Sequence, residues 1–159
     1  MSKTTESPGA RYGLRLVIAE ANRLEMPIAG VLTARGTAQD NMVLVHGRRC
    51  AIATGTRIYQ QPGRDARYVR FNLTPGILRE SDFVILIQAV PNKPKRFFIV
   101  PSGKFRYRES ERKQFTAYVP LDAQQEGDGR EKGAPAILYW RDHLGRWDLV
   151  ARGARSRKK

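Results

Sequence analysis

The chain has 159 residues, 41% of them hydrophobic, with a single cysteine and a net charge of +14 from 29 basic against 15 acidic residues. That length suits one domain with a real core, and no apolar run nears the eighteen or so residues of a membrane span. Cys50 alone excludes an intramolecular disulfide framework and fits a reducing compartment.

Residues 1–10 are expected to be a disordered lead, 11–150 one domain and 151–159 a basic tail. Met1–Pro8 is polar and lacks the apolar stretch of a secretory signal, which with Cys50 points to a cytoplasmic protein. Leu14, Val17, Ile18, Ala21 and Leu24 recur at three- and four-residue spacing, predicting a helix over 12–25 that stops before Pro27. Ile28–Thr33 reads as a short strand and 36–41 as a loop. Met42–Val45 and Arg49–Thr54 read as two strands joined by the tight turn His46-Gly47. Cys50 alternates with Ala51, so its thiol is expected in the core.

Residues 55–67 form a polar loop that includes Arg57, Arg64 and Arg67. Tyr68–Leu73 reads as extended. Thr74-Pro75 opens a short helix ending near Glu80, with Thr as N-cap and Pro at the first helical position. Phe83–Ile87 is nearly all apolar, as a strand buried on both faces requires. Pro91–Pro94 turns the chain, and Arg96–Val100 returns as a strand ended by Pro101-Ser102. Phe115–Leu121 is predicted to be an edge strand, because Pro120 cannot donate to a ladder on both sides. A charged loop follows over 123–133, then a closing helix over 135–143 with Trp140 and Leu144 capping the core. The tail, 152–159, is too polar to pack.

The hairpin on either side of His46-Gly47 resembles the core hairpin of the PD-(D/E)XK superfamily, the restriction-endonuclease-like fold. Further along, Arg70-Phe71-Asn72-Leu73, Ser81-Asp82-Phe83 and Arg96-Phe97-Phe98-Ile99-Val100-Pro101-Ser102 echo the elements that follow that hairpin in these families. The resemblance spans roughly residues 12–102, with a looser echo at Trp147-Asp148-Leu149. It implies an α/β fold: a central mixed β-sheet flanked by helices, with a restriction-endonuclease-like core. In the family the first hairpin strand carries a metal-binding Asp, and the second carries Glu or Asp, a spacer and Lys. Registered on the turn, those positions fall on Met42, Ala51 and Ala53.

The replacement matters chemically. Mg²⁺ takes hard oxygen ligands, and a lysine stabilises the attacking water or transition state. Ala51 and Ala53 share one strand face but can neither ligate a metal nor carry charge. The thioether of Met42 is a poor partner for Mg²⁺. Asp40, two residues before Met42, is the one candidate metal ligand nearby, though between Gln39 and Asn41 it reads more simply as a polar loop residue. Glu20 occupies a helix position that is an accessory acid in some relatives, and here reads as a solvated helix residue. His46 and His143 are the only histidines and do not make a zinc spacing with Cys50. No catalytic residue and no cofactor is therefore expected.

Arginine supplies 21 of the 29 basic residues, and its planar fork suits phosphate oxygens. Such a surplus favours a polyanionic partner, with nucleic acid ahead of membrane and DNA ahead of RNA. The candidate contacts are Arg48 and Arg49 on the hairpin, Arg57, Arg64 and Arg67 on the polar loop, and Lys93, Lys95, Arg96, Lys104, Arg106 and Arg108 in the densest basic stretch. Phe105, Tyr107 and Phe115 interleave with that stretch, a pattern single strands use for stacking. Phe105 and Phe115 are better placed in a core.

The reading that follows is a catalytically inactive nuclease fold binding nucleic acid through an Arg-rich surface. Its alternatives are a Mg²⁺-dependent nuclease with a displaced site, built around Asp40 or Glu20, and a non-catalytic subunit of a nucleoprotein complex with a protein partner.

Overall fold

Helix α1 (Pro8–Arg23) starts inside the segment expected to be a disordered lead. The computed structural model describes residues 8–32, 38–60, 67–105, 115–121 and 140–151. Val17 and Ala21, one turn apart, are fully buried beneath α1, while Ile18 and Leu24, expected on the same face, are each 37% exposed. The helix stops by its own backbone: Met26 N–H donates to Ala21 O and Glu25 N–H to Asn22 O, with Glu25 at φ 58°.

Strands β1 (Ile28–Leu32), β2 (Ala38–Val45), β3 (Arg48–Gly55), β6 (Phe83–Gln88) and β7 (Arg96–Pro101) make a five-stranded sheet in the order β1-β2-β3-β6-β7. β1–β2, β2–β3 and β6–β7 are antiparallel, and β3–β6 is parallel. The loop expected over 36–41 is shorter, because β2 already begins at Ala38. His46 and Gly47 both take positive φ, 53° and 76°, which is the geometry of a two-residue hairpin turn whose twist matches its strands. All six residues of β6 are buried, as expected of a strand with a layer on each face.

The two faces are covered differently. α1 lies on one, closing a core of Val17, Val43, Cys50, Ile52, Ile85 and Ile99 with Trp147. Gly13 makes this possible, since a Cβ there would lie 2.1 Å from Thr54 Oγ1. The other face was expected to be flanked by helices too. Instead a second sheet covers it, β4 (Tyr59–Gln60), β5 (Arg67–Leu73) and β8 (Phe115–Pro120), in the order β4-β5-β8, aided by the six-residue α2 (Pro75–Glu80). The alternation of Val69, Phe71 and Leu73 drives this, because a half-buried strand presents one apolar face. Those residues pack with Met42, Ala51, Val84, Leu86, Phe98 and Phe105 into a second core.

Polar groups join the layers. The buried Gln88 donates through Nε2 to Val119 O at 3.1 Å and Pro120 O at 2.9 Å, tying β6 to β8. Thr74 caps α2 by accepting from Ile77 N–H at 3.3 Å, as its sequence position predicts. Within the expected closing helix, residues 135–139 lie outside the described residues, and Trp140–Asp142 is a single 3-10 turn. The chain then runs along β7, where Ile99 N–H donates to His143 O and Phe98 bridges Leu144. Trp140 packs edge-on against Phe98 on one face of β7 and Trp147 against Phe97 on the other. No helix among the described residues is long and apolar enough to cross a membrane.

Candidate functional site

β2 and β3 bring together the three positions singled out on the hairpin. Met42 pairs directly with Ala51, and Ala53 follows on the same face of β3. This is the face away from α1. Beside it lies a cavity of about 440 Å³, walled by Ala51, Ala53 and Val84 of the large sheet, by Arg70 and Asn72 of β5, and by Thr74 and Ile77 at the start of α2. Gly55 lets the sheets approach at this seam, because a Cβ there would meet Val69 Cγ1 at 2.2 Å. Asn41, Thr54, Ile52, Phe71 and Leu73 complete the lining, which among the described residues has Arg70 as its one charged member and no carboxylate.

The donor set is accordingly poor for a hard cation. Met42 is 1% exposed and packed in the core, and the two alanines offer no donor atoms. Asp40 lies on β2, before Met42, the first β2 residue paired with β3. Glu20 is on α1, across the sheet from Met42 and Ala51, and forms an ion pair with Arg23 at 2.6 Å. Among the described residues no group of three or more His, Cys, Asp or Glu could hold a metal ion. Of the polar residues in that wall, Arg70 leans over the Tyr59 ring, Asn72 Oδ1 accepts from Thr116 Oγ1, and Thr74 Oγ1 accepts from Ile77 N–H.

Arg70 connects the cavity with the outside. Its Nη2 donates to Tyr59 Oη at 3.3 Å, and its guanidinium carbon stands 4.5 Å above the Tyr59 ring. Arg57 approaches the same ring at 5.9 Å. Arg67 lies on the same sheet, and its carbonyl accepts from Leu121 N–H, whose own carbonyl accepts from Arg96 at 3.0 Å. Lys93 and Lys95 are exposed in the turn just before β7. Among the described residues none of Arg57, Arg67, Arg70, Lys93, Lys95 and Arg96 forms an ion pair with a carboxylate.

The other predicted contacts lie elsewhere. Lys104 is exposed in the 3-10 turn after β7. Arg48 Nε is 3.8 Å from Asp82 Oδ2, and its guanidinium lies over Phe83. Arg49 shares the face of Ala51, yet its Nε donates to Glu80 O at the end of α2. Both arginines therefore sit at the edge of the sheet where β3 and β6 begin, opposite Lys93 and Arg96. Phe105 is fully buried, as expected of a core residue. Arg64, Arg106, Tyr107, Arg108 and the tail from 152 lie outside the described residues, as does the side chain of Phe115.

Sequence reasoning passed over Arg70, Tyr59 and Asn72 as contacts. The signal was the strict alternation in Tyr68-Val69-Arg70-Phe71-Asn72-Leu73, which sends its polar members to one side. Comparison with protein-family models, with curated proteins and with solved structures finds nothing that matches this chain.

Proposed function

We propose that this protein binds nucleic acid without cleaving it, on a core derived from a restriction-endonuclease-like fold. The observation that carries the reading is the cavity beside Ala51 and Ala53, whose lining among the described residues includes Arg70 and no carboxylate. A phosphodiesterase groove of that superfamily would gather carboxylates there to hold Mg²⁺. Here the described lining carries no carboxylate, and the guanidinium of Arg70, leaning over Tyr59, attracts a phosphate without holding a metal ion. The order of elements supports the relationship: a helix, a strand, a hairpin, the two strands β4 and β5, a short helix and then β6 parallel to the second hairpin strand. The net charge of +14 supplies long-range attraction.

Fluorescence anisotropy of labelled duplex and single-stranded DNA and RNA, repeated from low to high salt with Mg²⁺ present, tests this. The expected result is a Kd of about a micromolar or tighter, a steep loss of affinity with salt and a probe recovered at full length. Absence of binding near physiological salt overturns the proposal. A shortened probe would replace it with a displaced active site, for which Asp40→Ala is the decisive variant.

A further inference from the structure

Among the described residues, the small sheet packs only one of its faces into the core. Val69, Phe71 and Leu73 of β5 and Ala117 and Val119 of β8 point into the core. Strand alternation sends Tyr68, Arg70 and Asn72, with Thr116 and Tyr118, to the opposite side. The register brings these residues together: Tyr59 pairs with Tyr68, Arg70 with Tyr118, and Asn72 with Thr116. Three adjacent strands thus each place a tyrosine on the outer face. Tyr118 is 41% exposed, and its ring meets that of Tyr68 edge to face at a centroid distance of 6.0 Å. Arg70 and Arg57 flank the ring of Tyr59 at 4.5 and 5.9 Å. No residue of β4, β5 or β8 is acidic.

We infer that this outer face of the β4-β5-β8 sheet, with Tyr59, Tyr68 and Tyr118 as its rings and Arg57 and Arg70 as its cations, is a stacking platform for the unpaired bases of a single-stranded nucleic acid. The inference rests on the nucleic-acid reading above and names the form the ligand takes. Rings on an open sheet can accept the π-face of any base, while arginines beside them hold the phosphates. A duplex keeps its bases stacked on one another and could offer the same surface only its backbone. Charge complementarity selects this partner: the rings lie among cations that no carboxylate among the described residues neutralises. Base identity would matter little, because stacking does not read hydrogen-bond edges.

Equilibrium anisotropy with four labelled probes of equal length tests the inference: oligo-dT, oligo-rU, an abasic deoxy strand and a DNA duplex. The expected result is that a strand with bases binds about tenfold or more tighter than the abasic strand. Tyr68→Ala with Tyr118→Ala should erase that difference while leaving the abasic and duplex affinities and the salt slope unchanged. Tyr68→Phe with Tyr118→Phe, which keeps the rings, should restore it, and thermal melts of both variants establish that they fold. A preference for oligo-dT or oligo-rU supports the inference and identifies the sugar. Equal binding of the abasic and base-carrying strands, or an alanine variant that keeps the difference, overturns it while the broader nucleic-acid reading stands. Failure of all four probes to bind overturns both.

Discussion

Met42 and Ala51 face each other directly across the β2–β3 ladder, both 1% exposed, and Ala51 also lines the cavity beside β5. Two side chains in this relation could hold one metal ion between them if both carried carboxylates. As they stand they form packed apolar surface, joined to Val84, Leu86 and Phe98.

That arrangement can be reversed by experiment. Met42→Asp with Ala51→Glu places two like charges at a buried, directly paired position. Without metal, the double variant should lose at least about 3 kcal/mol of stability. Millimolar Mg²⁺ or Mn²⁺ should then restore much of the loss and raise the melting temperature by several degrees, whereas wild type should not respond. A double variant whose melting ignores both ions would count against an origin of this hairpin in a metal site.

Gly13 is where α1 meets the sheet. A methyl group there would lie 2.1 Å from Thr54 Oγ1 and 3.0 Å from Ile52 Cγ2. Thr54 is β-branched and cannot swing clear without leaving its rotamer. Gly13→Ala should therefore destabilise by about 1–3 kcal/mol despite its better helix propensity, read as a lower urea midpoint with an unchanged slope. An unchanged midpoint would mean that the helix docks with more room than this contact allows.

Gln88 is the polar tie between the two sheets. Its amide satisfies the carbonyls of Val119 and Pro120 inside a dry core. Gln88→Leu keeps the volume but leaves both carbonyls without that donor, which should cost about 2–4 kcal/mol. Hydrogen exchange should show the loss concentrated in β8, with β3 and β6 less affected. A uniform loss across the protein would indicate that the sheets do not open separately.

Cys50 lies between α1 and the sheet, fully buried. Burial, helped by the negative charge of Asp82, pushes its thiol up to about 12. The thiolate is the reactive form, so at neutral pH almost none is present. Alkylation by iodoacetamide should be at least about a hundredfold slower in the native protein than in denaturant. Rapid labelling of the native protein would mean that α1 lifts from the sheet on the same timescale.

The layout of the strands was legible because their signals were local. Thr74-Pro75, His46-Gly47 and the apolar run from Phe83 each fix an element through backbone chemistry that neighbours cannot override. The face opposite α1 was not legible in the same way. Tyr68–Leu73 showed its alternation, but its pairing with residues 115–120 joins segments more than forty residues apart, which no local pattern encodes. For the same reason Arg70 went unnoticed while Arg48 and Arg49 stood out. Adjacency on a hairpin is visible in sequence; the proximity of Asp82 to Arg48 and of the Glu80 carbonyl to Arg49 is not.

His143 gives the fold a pH dependence of definite sign. Its ring is buried, with Nδ1 3.1 Å from Ile99 O, Lys104 on the positive side and Asp142 and Arg146 nearby. Burial first and Lys104 second lower its pKa below the ordinary 6.5, outweighing the Ile99 carbonyl and Asp142. The unfolded chain therefore binds a proton at a pH where the folded one does not. Stability is unaffected well above the unfolded value and falls as the pH drops through about 6.5, since protons then favour the unfolded state. Urea midpoints for wild type should decline between about pH 7.5 and 5.5, and those of His143→Gln should decline less over the same range. Parallel curves for the two proteins would place the ring in contact with water, and the segment 143–145 would then be only loosely held against β7.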